Sequence, residues 1–385
     1  MKLNVKGVPL NIDHPLIGRI VKSHKEVSDQ DEIILLSDKP INRQVNKNNI
    51  LGLLTSQNIT ESGYENIKSL PTVHSLPYTD HLVDGDIVCI NKNGFVNTLY
   101  RIDSVHNTLF MTDRCNSNCL MCSQPPKDRD DIDYFFDINM KLISKIPIET
   151  ETIGITGGEP TLYGNKLVTL LNHLNKCLPE TNVHILTNGR AFAWPSFVKK
   201  FDAINKSKAV FAVPLYSDYY QSHDYIVQAK DAFYQTIMGI HNLARYGIPI
   251  EIRIVLHKQS IYRLEALAEF IYRNMPFVSH VAFMGLEYIG YTPHNDKLLW
   301  IDPVEYQEEL TKSVFFLASN GMNVSIYNLQ FCILKKELWQ FARQSISDWK
   351  QIYIDECQNC SQLENCGGLF ASSIKKHSDY IQAFN

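Results

Sequence analysis

The sequence predicts an α/β protein: a partial (β/α)6 TIM-like barrel, preceded by a β-rich N-terminal domain and followed by a cysteine-rich C-terminal module. Three observations carry this reading. From about residue 105 to residue 290, short apolar runs alternate six times with longer amphipathic segments. Before them lie short alternating runs separated by turn formers, and after Trp300 the rhythm breaks into a tail with four cysteines. Alternating strand and helix signals imply a parallel sheet whose strand C-termini, with the loops after them, share one face. The expected divisions are residues 1–105, 106–300 and 301–385.

Composition bounds the possibilities. A chain of 385 residues suggests two or three domains at about 150 residues each. With 44% hydrophobic and 20% charged residues it reads as an ordinary globular protein. The balance of 37 basic and 41 acidic residues, 37 − 41 = −4, argues against a duplex-DNA binder and makes nucleic-acid partners unexpected. The longest apolar runs, such as Ile33–Leu36 and Ile250–Leu256, fall short of the roughly 18 residues a membrane span requires. No export signal is visible at the N-terminus, so a cytoplasmic location is expected. An odd count of nine cysteines then favours metal or redox chemistry over a disulfide framework.

In chain order, the N-terminal strand signals are Ile33–Leu36, Ile50–Leu53 and Ile87–Ile90, with turns at Asp84-Gly85-Asp86 and Asn93-Gly94. The Asn-Gly pair between Ile87–Ile90 and Phe95–Tyr100 is a hairpin signal. The barrel strands are expected at Thr108–Thr112, Thr152–Thr156, Val183–Thr187, Val210–Leu215, Ile250–Leu256 and His280–Met284. Helices are expected at Ile138–Ile146, Asn165–Cys177, Pro195–Phe201, Ala229–Tyr246 and Ile261–Arg273, with a further one at Pro303–Ser319.

The strongest chemical signal is Cys115-x3-Cys119-x2-Cys122, just after the first barrel strand. Three thiolates in a short loop can hold one face of an iron-sulfur cube and leave one iron open to a small-molecule ligand. A structural zinc knuckle would need a fourth ligand, and the nearest, His106, lies toward the other end of the strand. The next strand ends in Gly157-Gly158-Glu159-Pro160, where two glycines permit close approach to the backbone and Glu159 offers an acceptor for an ammonium group. By itself this is also an ordinary strand-to-helix turn with an acidic residue at a helix N-terminus. The tail carries Cys357-x2-Cys360-x5-Cys366-Gly367-Gly368, with Cys332 upstream as the candidate fourth ligand, and either a cluster or a zinc would suit four cysteines. Cys89 and Cys177, isolated in a strand and a helix, read as core residues.

These motifs resemble the radical S-adenosylmethionine (SAM) enzymes over residues 105 to about 290. The resemblance implies that Cys115, Cys119 and Cys122 hold a 4Fe-4S cluster whose open iron is chelated by SAM. It further implies that Gly157-Gly158-Glu159 receives the SAM amino group and that Met121 packs near adenine, where many members carry an aromatic. Thr187-Asn188-Gly189 resembles the family's Thr-Asn-Gly, and Ser217 falls in the loop matching Ser-Leu-Asp-Gly. Arg253 resembles a residue that pairs with the SAM carboxylate, although an outward-facing strand position is equally consistent with its sequence context. Gly285, in Met284-Gly285-Leu286-Glu287, matches the position where the backbone meets adenine. Electron transfer, from an external donor, cleaves SAM to a 5′-deoxyadenosyl radical.

The tail resembles the SPASM or twitch extension of peptide-modifying members, which implies a second, auxiliary 4Fe-4S cluster; the full SPASM pattern continues with further cysteines that this chain lacks. Longer stretches are similar to the HxsC-type maturases of His-Xaa-Ser peptide systems. Among them are Asn107-Thr108-Leu109, Ser123-Gln124-Pro125-Pro126, Ser325-Ile326-Tyr327-Asn328 and Ser345-Ile346-Ser347-Asp348-Trp349-Lys350. This implies a ribosomally made precursor peptide with His-Xaa-Ser repeats and a second radical SAM maturase as partner. The hairpin edges of the N-terminal domain could take up a leader peptide by strand addition, or serve only for packing. The alternatives are a radical SAM enzyme acting on RNA or a small molecule, and a zinc-stabilised binding protein without catalysis.

Overall fold

The computed structural model describes residues 3–22, 33–37, 50–59, 69–344 and 352–384. The N-terminal part contains β1 (Asn4–Lys6), β2 (Val8–Leu10), β3 (Leu16–Val21), β4 (Ile33–Leu36), β5 (Ile50–Leu54), β6 (Thr72–His74), β7 (Ile87–Ile90) and β8 (Phe95–Tyr100). They form one sheet in the order β1-β8-β7-β3-β4-β5-β6-β2. The β7–β8 hairpin turns at Asn93-Gly94, with Gly94 at φ 82° and its N–H donating to Asn91 O at 2.9 Å. Its first and last strands are consecutive in the chain and separated by Gly7 alone, so the sheet closes on itself. Closure depends on that glycine: a Cβ there would lie 2.4 Å from His74 O. Both strands of the β7–β8 hairpin are paired on each side, β7 with β3 and β8 with β1, and β2 pairs with β6.

The second sheet is parallel throughout: β9 (Asn107–Phe110), β10 (Thr152–Thr156), β11 (Asn182–Leu186), β12 (Ala209–Pro214), β13 (Ile250–Leu256), β14 (His280–Gly285) and β15 (Val324–Tyr327). Six of these correspond to the expected strands within one or two residues. The seventh, β15, corrects the expected six-stranded barrel: it pairs with β14 through Val281–Val324 and Phe283–Ile326. Only four residues long and set beyond a long helix, it gives no rhythm of its own.

Period-two alternation explains the packing. Ile153, Ile155, Val183, Ile185, Phe211, Val213, Ile252, Ile254, Val281 and Phe283 are buried in one core with helix residues such as Leu167, Leu170, Leu243 and Leu267. The alternate row, including His184, Glu251, Arg253 and His280, faces the concave side. The helices of eight or more residues are α1 (Ile132–Ile143), α2 (Asn165–Cys177), α3 (Tyr220–Val227), α4 (Ala232–Arg245), α5 (Leu264–Asn274) and α6 (Gln307–Ser319). Helix α1 starts six residues before the expected Ile138, and α3 was not expected. The expected Pro195–Phe201 and Pro303–Ser319 helices each include a 3-10 turn.

The N-terminal sheet docks on the barrel through Ile17, Ile87, Cys89 and Tyr100, which share the barrel core, and through Tyr100 Oη···Thr150 Oγ1 at 2.8 Å. Beyond β15 the tail is built of 3-10 turns. Ala342 bridges to Ile326, Ile352 bridges to Leu369, and Phe331 stacks on Trp339 at 4.6 Å. The segment Ser345-Ile346-Ser347-Asp348-Trp349-Lys350 lies outside the described residues. Among the described residues no helix is long and apolar enough to cross a membrane.

Candidate functional site

The loop after β9 is tied to four neighbouring loops at the C-terminal end of the sheet. Thr112 is fully buried and its hydroxyl donates to Asp131 Oδ1 at 2.5 Å, while Asp113 N–H donates to Asp131 Oδ2 at 2.8 Å. Gly158 N–H donates to Thr112 O at 2.7 Å and Glu159 N–H to Arg114 O at 2.8 Å, joining the cysteine loop to the Gly-Gly-Glu turn edge to edge. From the loop after β11, Asn188 Nδ2 donates to Asn116 Oδ1 at 2.6 Å, and Arg190 Nη1 to Asn116 O and Ser117 Oγ. Asn118 and Leu120 N–H groups donate to the C-terminal carbonyls of α3, Val227 O and Ile226 O. Asn295 Nδ2 donates to Leu120 O at 2.8 Å, and Tyr291 N–H to Cys122 O at 2.9 Å. Arg190, Asn116 and Asn295 were not singled out in the sequence; only the neighbouring Thr187-Asn188-Gly189 signal pointed near them.

Cys115, Cys119 and Cys122 are free thiols held together in this frame. Burial pushes the Cys115 thiol up to about 11, helped by the Glu159 carboxylate, while the Ser117 N–H donated to its sulfur at 3.4 Å opposes the shift. Burial, then the charges of Cys122 and Cys115, push Cys119 still higher, and burial raises Cys122. Metal ligation requires thiolates, so three half-buried thiols that resist ionisation in each other's presence suit a cationic centre that would supply the missing charge. Among the described residues, no three His, Cys, Asp or Glu side chains form a site for a single metal ion. The donor set, three soft sulfurs with no fourth protein ligand beside them, fits one face of an iron-sulfur cluster.

Glu159 is 1% exposed, and both its carboxylate oxygens are hydrogen-bonded. Its Oε1 accepts from Thr161 N–H (2.9 Å), Thr161 Oγ1 (2.6 Å) and Thr187 Oγ1 (2.6 Å), and its Oε2 accepts only from Asn188 N–H (2.7 Å). Oε2 thus retains acceptor capacity for one more donor. The glycines have a different reason from the one the sequence suggested. A Cβ on Gly158 would stand 2.0 Å from Arg114 O, and one on Gly157, at φ 138°, 2.8 Å from Thr112 O. The close approach is therefore to the cysteine loop, not to a ligand.

Most of the remaining expected residues fall around the same end of the sheet, and Arg253 lies midway along β13. Met121 is buried with Leu120, Tyr216, Ile226 and Leu299, against Cys119, Val255 and Leu286. Ser217 is buried, its Oγ accepting from Tyr219 N–H at 3.1 Å, and the adjacent Asp218 is bound bidentately by Arg263 at 2.6 and 2.6 Å. Arg253 points into the concave face, 3.3 Å from Glu251 Oε1, so the outward-facing alternative fails. Gly285 is glycine for a protein contact: its Cβ would meet Asn328 O at 2.4 Å. Tyr216, unremarked in the sequence, is wedged between His223 and His257 at ring distances of 5.8 and 6.1 Å.

In the tail, Cys332, Cys357, Cys360 and Cys366 line one small cavity with Phe331, Tyr353 and Phe384. They lie close enough to act on one another: burial, and the charges of Cys366 and Cys357, raise Cys332, and burial with Cys366 and Cys360 raises Cys357. Cys89 is core, its thiol pushed up to about 12 by burial, and Cys177 lies 3.8 Å from His173.

Residues 109–271 match the radical SAM superfamily. An uncharacterized protein of Methanocaldococcus jannaschii is 24% identical over 174 residues, which is 43% of this chain and 58% of that protein; the chain thus spans under two thirds of that curated relative. Streptococcus suis SuiB, solved bound to S-adenosylmethionine, superposes with a TM-score of 0.50 at 14% identity over 73% of this chain and 76% of that one. The native anSMEcpe, solved with AdoMet and the Cp18Cys peptide, gives 0.48 at 14% identity over 73% and 92%.

Proposed function

We propose that this chain is a radical SAM enzyme that modifies a ribosomally made precursor peptide of the His-Xaa-Ser repeat type, with an external electron donor and a second radical SAM maturase as partners. The observation that carries the reading is the joint placement of three half-buried thiols and a buried carboxylate with one acceptor position left, on loops locked edge to edge. Cys115, Cys119 and Cys122 would hold a 4Fe-4S cluster, and Glu159 Oε2 would accept from the SAM ammonium. Arg253 is the inward cation for its carboxylate, and Met121, Asn188, Ser217 and Gly285 border the space. When bound, cluster and SAM together supply the 5′-deoxyadenosyl radical that abstracts hydrogen.

The chain's own residues bind, orient and exclude water. Leu120, Met121, Tyr216, Ile226 and Leu299 form an apolar wall on the cysteine loop. Asn188 and Arg190 fix the loop's backbone, and Glu159 ties the turn after β10 to the loop after β11. Cys332, Cys357, Cys360 and Cys366 would hold an auxiliary 4Fe-4S cluster in the tail cavity. The peptide reading rests on the sequence resemblance and on this second thiol set, which an enzyme with a single cluster would not require.

The test is to incubate anaerobically reconstituted protein with SAM, dithionite and a peptide containing His-Xaa-Ser repeats. 5′-Deoxyadenosine and a changed peptide mass are expected. SAM cleavage with the peptide mass unchanged, in the presence of the partner maturase, would sink the peptide assignment and leave the RNA or small-molecule alternative.

A further inference from the structure

The barrel carries a second cluster of charged side chains at the end away from the cysteine loop. Glu251, on the concave face near the start of β13, has Oε2 2.8 Å from His280 Nδ1 and Oε1 3.4 Å from His184 Nε2 and 3.3 Å from Arg253 Nε. His184 on β11 reaches across β12 because that strand contributes only Val210 and Ala212 between them in register. From Glu251 to Leu256, at the cysteine-loop end of the same strand, is five residues, about 16 Å at about 3.3 Å each. Glu251 thus lies toward the opposite end of its strand from the cysteine loop, with Arg253 midway between the two ends.

It lines a solvent-open cavity of about 540 Å³, within the range of small-ligand sites, with Lys208, Ser325, Tyr327 and Arg343 around it. Among the described residues Glu251 is the only carboxylate in the lining, and its charge is already met by Arg253 and the two imidazoles. Burial alone would raise its carboxyl, but the hydrogen bonds from His184 and His280, then the charges of His184 and Arg253, hold it well below the usual range. What remains toward the cavity is positive. Arg343 is fixed by its own hydrogen bonds to Gln340 O and Ala342 O, at 2.8 Å each, which do not neutralise it. Lys208 meets only Glu180, a carboxylate 83% exposed, at 3.2 Å, and such surface pairs hold weakly. His280 Nε2 is buried without a hydrogen-bond partner; with Nδ1–H turned to the Glu251 carboxylate it is an acceptor, which a protonated oxygen of phosphate could satisfy.

We propose that this mouth of the barrel binds an oxyanion, carboxylate or phosphate, between Arg343 and Lys208. Arg343 and Lys208 take no part in the cofactor site.

The test uses the full-length reconstituted protein and calorimetric titration with inorganic phosphate and, separately, with N-acetylglutamate α-amide, whose side-chain carboxylate is its only charge. Saturable binding of at least one anion is expected, and the neutral glutamine analogue should not bind. Tighter phosphate binding assigns the site to a free or esterified phosphate, tighter glutamate binding to an acidic side chain of a peptide. Lys208→Gln with Arg343→Gln should weaken binding at least tenfold while SAM affinity is unchanged. Glu251→Gln, which removes the one opposing charge, should strengthen it severalfold; a merely structural role would not produce that sign. If Glu251→Gln does not fold, the double variant decides alone. Absence of saturable binding, equal binding of the glutamine analogue, or a double variant that binds like the parent would overturn the assignment.

Discussion

Glu159 accepts four hydrogen bonds from three residues, so truncating it would test the fold as much as the cofactor site. Glu159→Gln is the sharper variant: it keeps the shape and one acceptor oxygen but aims an amide donor where the ammonium should sit. SAM affinity should fall at least tenfold, about 1.5–3 kcal/mol for a charge-assisted bond, with iron content unchanged. Equal affinity measured by equilibrium dialysis would return Glu159 to the role of a turn residue.

His257 supports a prediction of another kind. It is fully buried, caps the short helix Lys258–Ile261 by accepting from Gln259 N–H, and burial pushes it down to about 3. The folded pKa lies below the unfolded one, so between about pH 6.5 and 3 the unfolded chain binds the extra proton and stability falls as pH falls. His257→Asn keeps a capping acceptor and removes that titration. Thermal melts at pH 6.5 to 4.5 should lose about 1.4 kcal/mol less stability per pH unit in the variant than in the parent. Identical pH slopes would contradict the buried neutral imidazole.

The Gly-Gly-Glu turn and the cysteine loop act as one element, because Thr112, Arg114, Gly158 and Glu159 join them by backbone hydrogen bonds. Gly158→Ala places a Cβ against Arg114 O and must push the two loops apart. The variant should lose about 1–3 kcal/mol of stability and hold the first cluster's iron poorly, read by melting temperature and iron assay. Parental values for both would show the loops to be independent.

The same scale explains what was legible in the sequence. Asn165–Cys177 and Thr152–Thr156 were readable because each repeats one periodicity over its whole length. The cysteine and Gly-Gly-Glu motifs were readable because both sit at strand ends, where a parallel sheet gathers its loops. Three features had no local signal. The closure of the N-terminal sheet turns on Gly7, whose partners His74 and Gly94 are far away in sequence. Strand β15 is four residues beside a long helix. The Arg190–Asn116 and Asn295–Leu120 bonds are long-range contacts between loops, which no periodicity encodes. The inward direction of Arg253 was also undecided by sequence, since a buried parallel strand is apolar on both sides of the alternation in most of its neighbours.

Across the whole molecule, two sets of thiols stand on one chain, three at the sheet's C-terminal end and four in the tail. They should separate functionally. If the tail cluster carries electrons, Cys360→Ala will still cleave SAM with dithionite but fail to modify peptide; if it is structural, soluble protein will be lost, since metal binding and folding of such a module are coupled. Folded variant with full peptide modification would make the tail dispensable. The most direct test of the central claim is the iron and sulfide content of anaerobically reconstituted protein beside that of the triple variant Cys115→Ala, Cys119→Ala, Cys122→Ala. Two 4Fe-4S clusters predict about eight irons per chain in the parent and about four in the variant; a variant that keeps all of its iron, or a colourless parent that holds zinc, would contradict the assignment.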